Sequence, residues 1–103
     1  MFVCHGNICR STMAEFVMKD LVRKADLADK FIINSSATSR EEIGCDTHYG
    51  TKAKLREMNI PFSKRKAVQI TKQDYDMYDY IIVMDNNNLP NASVKPLNLF
   101  MGI

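Results

Sequence analysis

Cys4 and Arg10 stand six positions apart, a Cys-x5-Arg spacing, with Gly6 and Asn7 between them and Ser11 just beyond. A thiol, a guanidinium and a glycine-containing turn so close together suggest chemistry on an oxyanion. Arginine supplies a planar fork that matches two phosphate oxygens, which lysine does not. Gly6 permits backbone angles that other residues resist, and Asn7 is the next most tolerant of a left-handed turn. A loop wound this way can aim the backbone N–H groups of His5, Gly6, Asn7, Ile8, Cys9 and Arg10 at one point, an anion nest. A thiol in that nest feels the N–H groups, the dipole of a following helix and Arg10, all of which stabilise negative charge on sulfur. Ser11 adds a hydroxyl able to hydrogen-bond it. Such a site holds an oxyanion over a sulfur nucleophile.

Two other readings of these residues stay open at this level. Cys4 can be a buried core cysteine and Arg10 a solvated cation at a helix start, and spacing alone does not separate the cases. Cys4, His5, Cys9, Cys45 and His48 also include a Cys-x2-His pair, and such ligands hold zinc. No second short pair matches it, and the adjacent Arg10 disfavours another cation.

The chemistry requires a strand that ends at Cys4 and a helix that starts beside Arg10. Phe2 and Val3 are apolar and lead into Cys4 as a short strand. Apolar residues at 14, 17, 18, 21, 22 and 25 recur with helical period, and Thr12-x-x-Glu15 has the form of a capping box at the helix start. Phe31-Ile32-Ile33 reads as a second, buried strand ending in Asn34-Ser35-Ser36. Asp46 or Thr47 is expected to open a second helix that runs through Leu55 and stops at Asn59, before Pro61. Thr71-x-x-Asp74 opens a short third helix. Tyr80 to Met84 reads as a strand covered on both faces, and Leu97 to Met101 as a last strand. This order predicts an α/β three-layer sandwich with a small, mostly parallel, twisted sheet, Rossmann-like with flavodoxin-like strand order. The phosphate-binding loop follows strand 1, since ligands in such sheets sit at the C-terminal ends of the strands.

Length and charge narrow the partners. A chain of 103 residues makes one domain. With 46% apolar and 25% charged residues it is neither disordered nor fibrous. A formal charge of +2 argues for neither nucleic acid nor an anionic membrane. Three cysteines form no disulfide framework, so a reducing cytoplasm is the expected location. No apolar run is long enough to span a bilayer, and the first residues lack the layout of a signal peptide.

The run from Phe2-Val3-Cys4-His5-Gly6-Asn7-Ile8-Cys9-Arg10-Ser11 to Ala14-Glu15 closely resembles the signature of the low-molecular-weight protein tyrosine phosphatases. The resemblance continues at Asn34 to Thr38, Ile43-Gly44, Leu55 to Ile60, Ala67 to Thr71, and Asp79 to Asp85 with Asn88-Leu89, and so spans nearly the whole chain. It implies that Cys4 is the nucleophile, carrying the phosphoryl group as a phosphocysteine. It further implies that Arg10 binds phosphate and stabilises the transition state, and that Ser11 supports the thiolate. Asn7 holds the loop with help from Ser35, and Cys9 forms a reversible disulfide with Cys4. The implied substrates are phosphotyrosine-containing proteins or small aryl phosphates, with inorganic phosphate as product and inhibitor and no cofactor.

Three departures from the family pattern stand out. Thr12 replaces a proline, with little expected effect. His5 and Glu41 stand where the family lines its substrate cleft, often with apolar or aromatic residues, and Glu41 is expected to repel a dianion. The general acid of the family lies in an Asp-Pro motif after the last strand, and this sequence holds no Asp-Pro pair. Residues 1–103 are therefore expected to form a single domain lacking the acid loop and last helix. Asp85 is the nearest substitute acid, although a cap or ion-pair role is the favoured reading of it. Turnover of phosphotyrosine is expected to fall by about 10²–10⁴ without such an acid. The absent helix is expected to bare a sheet face prone to self-association. The alternative function is a weakened phosphate- or phosphoprotein-binding remnant. Arsenate reduction is disfavoured because residues 85–94 contain no cysteine. Tyr75, Tyr78 and Tyr80 resemble regulatory phosphorylation sites of some family members, and packing is the favoured role for them here.

Overall fold

The computed structural model describes residues 1–84 and the backbone of 99–101. Four strands, β1 (Phe2–Cys4), β2 (Ser35–Ala37), β3 (Ile81–Val83) and β4 (Leu99–Met101), form one sheet in the order β2-β1-β3-β4. All three pairings are parallel, with Val3 opposite Ser36 on one side and Val83 on the other. A parallel neighbour demands a crossover, and helices lie on the connections from β1 to β2 and from β2 to β3. The chain leaves β1 toward β2 and later crosses back to β3. The crevice opened by that reversal lies at the C-terminal end of β1, where Cys4 stands.

Alternation along β1 sends Phe2 and Val3 to opposite faces. Phe2 borders α1 (Arg10–Lys24), together with Met13, Val17 and Met84. Val3 is fully buried with Ile81, Val83 and Tyr78, against Tyr75 of α3 (Lys72–Met77). The sheet is thus the middle of three layers. A second cluster joins α1 to α2 (Tyr49–Glu57) through Phe16, Leu55 and Ile60, with the Phe16 and Phe62 rings edge to face at 6.1 Å. Residues 67–70 run along the outer edge of β2, where Ala37 donates to the Val68 carbonyl at 2.7 Å and accepts from Ile70 at 2.8 Å. Among the described residues no helix is long and apolar enough to cross a membrane.

The parallel sheet and the third helix agree with expectation. Thr71 and Asp74 form a reciprocal capping box, and Asn59 stops the second helix segment with φ at 57°. Four details differ. α1 starts at Arg10, with Cys9 at its N-cap and no side-chain cap. Thr12 donates to the Cys9 carbonyl instead, and Glu15 turns into the protein. Leu21, on the apolar stripe, is 56% exposed, because that stripe borders an open groove of about 450 Å³ while Ser11, Thr12, Glu15 and Phe16 are buried. The second strand is Ser35–Ala37 and not 31–33, where Phe31 and Ile32 are exposed. Small side chains in β2 leave room for polar groups from α1 to reach the loop. Lastly, α2 begins at Tyr49 rather than near Asp46, because the His48 ring accepts from the Gly50 N–H while Asp46 is engaged elsewhere. The segment 86–91 and Asp85 lie outside the described residues.

Candidate active site

Cys4 ends β1 with its side chain buried, and its carbonyl accepts from the Thr38 N–H at 3.0 Å. The next residues turn sharply rather than extending the strand, and the turn is made at Asn7. Its φ of 57° is left-handed, which asparagine tolerates better than most residues. Gly6 has no such angle. Its hydrogen matters for space, since a Cβ there would stand 3.3 Å from Glu42 Cγ. The turn aims the Asn7 N–H at Cys4 Sγ, 3.3 Å away. The Gly6 and Ile8 N–H groups donate to no protein acceptor among the described residues, as a nest for an anion requires.

Ser11, in the first turn of α1, lies 3.0 Å from the sulfur. Its oxygen accepts from the Cys4 thiol and from Asn7 Nδ2 at 2.8 Å, and once the thiol is deprotonated the hydroxyl hydrogen is available to the sulfur. Asn7 Nδ2 also donates to Ser35 Oγ at 2.9 Å. Cys4, Asn7, Ser11 and Ser35, expected from the sequence to act together, are brought together through one fully buried amide.

Two further residues complete this scaffold. Arg65 donates to Asn7 Oδ1 at 2.7 Å and also reaches Ser35 Oγ and Glu15 Oε1. Asn7 Oδ1 takes a second bond from the Val68 N–H at 3.2 Å. Glu15 accepts from Ser35 Oγ at 2.5 Å and from Lys19 Nζ at 2.7 Å. Both Glu15 and Arg65 are largely buried, with side chains 6% and 15% exposed. Asp46 anchors the backbone here by accepting from the Arg65 N–H at 3.1 Å. Its carboxyl is lowered to about 2, chiefly by the Lys52 ammonium and next by that Arg65 N–H. Arg65 stands 58 residues from Asn7 in a basic run, Lys64-Arg65-Lys66, that looks like ordinary solvated surface. The local signal was Glu15, a carboxylate flanked by the apolar Ala14 and Phe16.

Around the mouth of the loop, the Ser39 N–H and Oγ both bond the His5 carbonyl, at 3.2 and 2.8 Å. His5 Nε2 meets Glu41 Oε2 at 2.8 Å, both side chains being exposed. Ile8 is tied to the start of α2 by His48, whose N–H donates to its carbonyl at 2.7 Å. Cys9 is exposed and takes a bond from Thr51 Oγ1 at 3.3 Å; Cys4 and Cys9 are both free thiols. Arg10 opens α1, is exposed, and lines the groove together with Phe2 and Met84.

The zinc reading finds no support in the geometry. Among the described residues no three His, Cys, Asp or Glu side chains converge on a metal-sized point. His48 instead caps α2 and stacks on Tyr49 at 4.4 Å. The Cys45 thiol is pushed up by its hydrogen bond to Glu42.

Comparison with known proteins then identifies the family. The sequence model of the low molecular weight phosphotyrosine protein phosphatases matches residues 1–97. The chain belongs to this family. It is 41% identical over 95 residues to the human low molecular weight phosphotyrosine protein phosphatase, covering 92% of this chain and 60% of that one. It is 44% identical over 89 residues to the low molecular weight protein-tyrosine-phosphatase YfkJ of Bacillus subtilis, covering 86% and 57%. Among solved structures, the low molecular weight protein tyrosine phosphatase SP-PTP of Streptococcus pyogenes superposes with a TM-score of 0.86 at 40% identity, over 97% of this chain and 68% of that one. The chain thus spans about three fifths of the length of the curated relatives it matches.

Proposed function

We propose that this phosphatase domain hydrolyses phosphate monoesters of the phosphotyrosine type through a phosphocysteine on Cys4. Cys4 Sγ attacks phosphorus as the thiolate, the P–O bond to the aryl group breaks, and the aryl oxygen leaves with the electron pair as phenoxide, which takes its proton from water. Water then attacks phosphorus, the P–S bond breaks, and inorganic phosphate departs as the thiolate is regenerated. Splitting one displacement into two lets the same N–H groups and Arg10 stabilise both transition states. The observation that carries this reading is Cys4 Sγ held between the Asn7 N–H, which donates to it, and Ser11 Oγ, which accepts from its thiol, at the C-terminal end of a parallel strand.

Residues 1–103 contain no Asp-Pro pair, so activated aryl phosphates, whose leaving groups need little protonation, give the clearest reading of the Cys4 chemistry. Phosphotyrosine proteins are the substrate class, inorganic phosphate competes as product, and the cytoplasm, where thiols stay reduced, suits the free nucleophile. The test compares hydrolysis of an activated aryl phosphate by the native protein and by Cys4→Ser. Loss of activity in the variant supports the mechanism, and equal rates reject it. Retained phosphate binding without turnover in the native protein favours the phosphate-binding alternative.

A further inference from the structure

Glu41 is bound to the residue that follows the nucleophile. Ser39 fixes its segment against the loop through two bonds to the His5 carbonyl, and the Glu41 carboxylate closes the contact on the His5 ring at 2.8 Å. Glu42 lies alongside, with its Cγ packed close to Gly6. The nearby cation Arg40 turns toward Gln69, whose Oε1 accepts from Arg40 Nε at 3.1 Å, and Gln69 in turn donates to the Thr38 carbonyl. The Glu41 side chain is 69% exposed, so its charge is open to solvent beside His5 of the loop. This placement opposes a bare dianion and favours a cation arriving beside it.

We propose that Glu41 is a specificity-determining residue that selects phosphotyrosine peptides carrying Lys or Arg next to the phosphorylated residue. The proposal rests on the phosphatase reading above and names the substrate class of that same site. An exposed charge pair at such a mouth changes affinity by about two- to fivefold, and attraction on one peptide combines with repulsion on its acidic counterpart.

The experiment measures kcat/KM for two phosphotyrosine peptides that differ only in Lys or Glu flanks, with an uncharged aryl phosphate as reference. The native protein is expected to favour the Lys peptide by about fivefold or more, and the preference is expected to shrink as salt is raised. Glu41→Gln brings the ratio close to one, and Glu41→Lys inverts it. Both variants change one solvent-facing side chain, so folding is preserved. The same ratio, read as peptide Kd on the Cys4→Ser protein, keeps the proposal testable if turnover fails. A native ratio near one, or a ratio unchanged by Glu41→Gln, overturns the proposal while leaving the phosphatase reading intact. No Cys4-dependent hydrolysis of the aryl phosphate overturns the phosphatase reading instead, and the Kd ratio then decides this one.

Discussion

Arg65→Met removes the guanidinium that ties Asn7, Ser35 and Glu15 together while keeping much of the side chain's volume. Removing one member of a buried pair costs about 3–5 kcal/mol, because the other charge stays behind without its partner. Glu15 keeps Ser35 and the half-exposed Lys19, which offset about 1 kcal/mol of that. A loss of about 2–4 kcal/mol is therefore expected. For a chain of about 100 residues this lowers Tm by about 10–30 °C. Asn7 also loses one of the two donors on its Oδ1, so the loop loosens and kcat on an aryl phosphate falls by about 10- to 100-fold. The assay is urea unfolding of the native protein, Arg65→Met, Glu15→Gln and the double variant, with kcat measured on each. Because Glu15→Gln no longer leaves a bare charge, the double variant should lose less than the two singles together, by about 1–3 kcal/mol. Additive losses, or an Arg65→Met protein within about 0.5 kcal/mol of native and fully active, would refute the buried-scaffold reasoning.

Three other perturbations separate conformation, space and charge around the same loop. Asn7→Ala should abolish most activity and cost about 2–4 kcal/mol, since it strains a left-handed backbone and strips four side-chain hydrogen bonds; Asn7→Gly, which relieves only the strain, should recover about 1 kcal/mol in urea unfolding. Gly6→Ala should cost under about 1 kcal/mol, because only the flexible Glu42 side chain has to move. Asp46 has a folded-state carboxyl near 2, below the ordinary value of about 3.9, so its contribution is present above pH 4 and lost as pH falls through about 2. Native protein should lose urea resistance across that window, and Asp46→Asn should lose measurably less; identical pH profiles would contradict the Asp46–Lys52 anchor.

The turn from Cys4 to Ser11 was legible because its parts are local: Cys4, Asn7 and Ser11 span eight residues and the strand before them is plainly apolar. The β3 strand and the Thr71 capping box were legible for the same reason. Long-range polar pairing was not. Arg65 has no pattern around it that distinguishes a buried anchor from a surface cation, and its burial depends on residues 67–70 lying along β2. The second strand was misplaced because hydrophobicity pointed to Phe31-Ile32-Ile33, whereas the sheet takes the small residues Ser35–Ala37, which let the Glu15–Arg65 pair approach the loop. The same competition hid the buried edge of α1. Its apolar stripe borders the groove, and polar Ser11, Thr12 and Glu15 go inside.

Trapping the covalent intermediate tests the central claim most directly. Native protein mixed with excess activated aryl phosphate and quenched in acid within the first turnover should show one equivalent of phenol released in a burst. Peptide mapping should then place the phosphoryl group on Cys4, with no adduct in Cys4→Ser. A linear time course with no adduct, or a phosphoryl group on any other residue, would contradict the account.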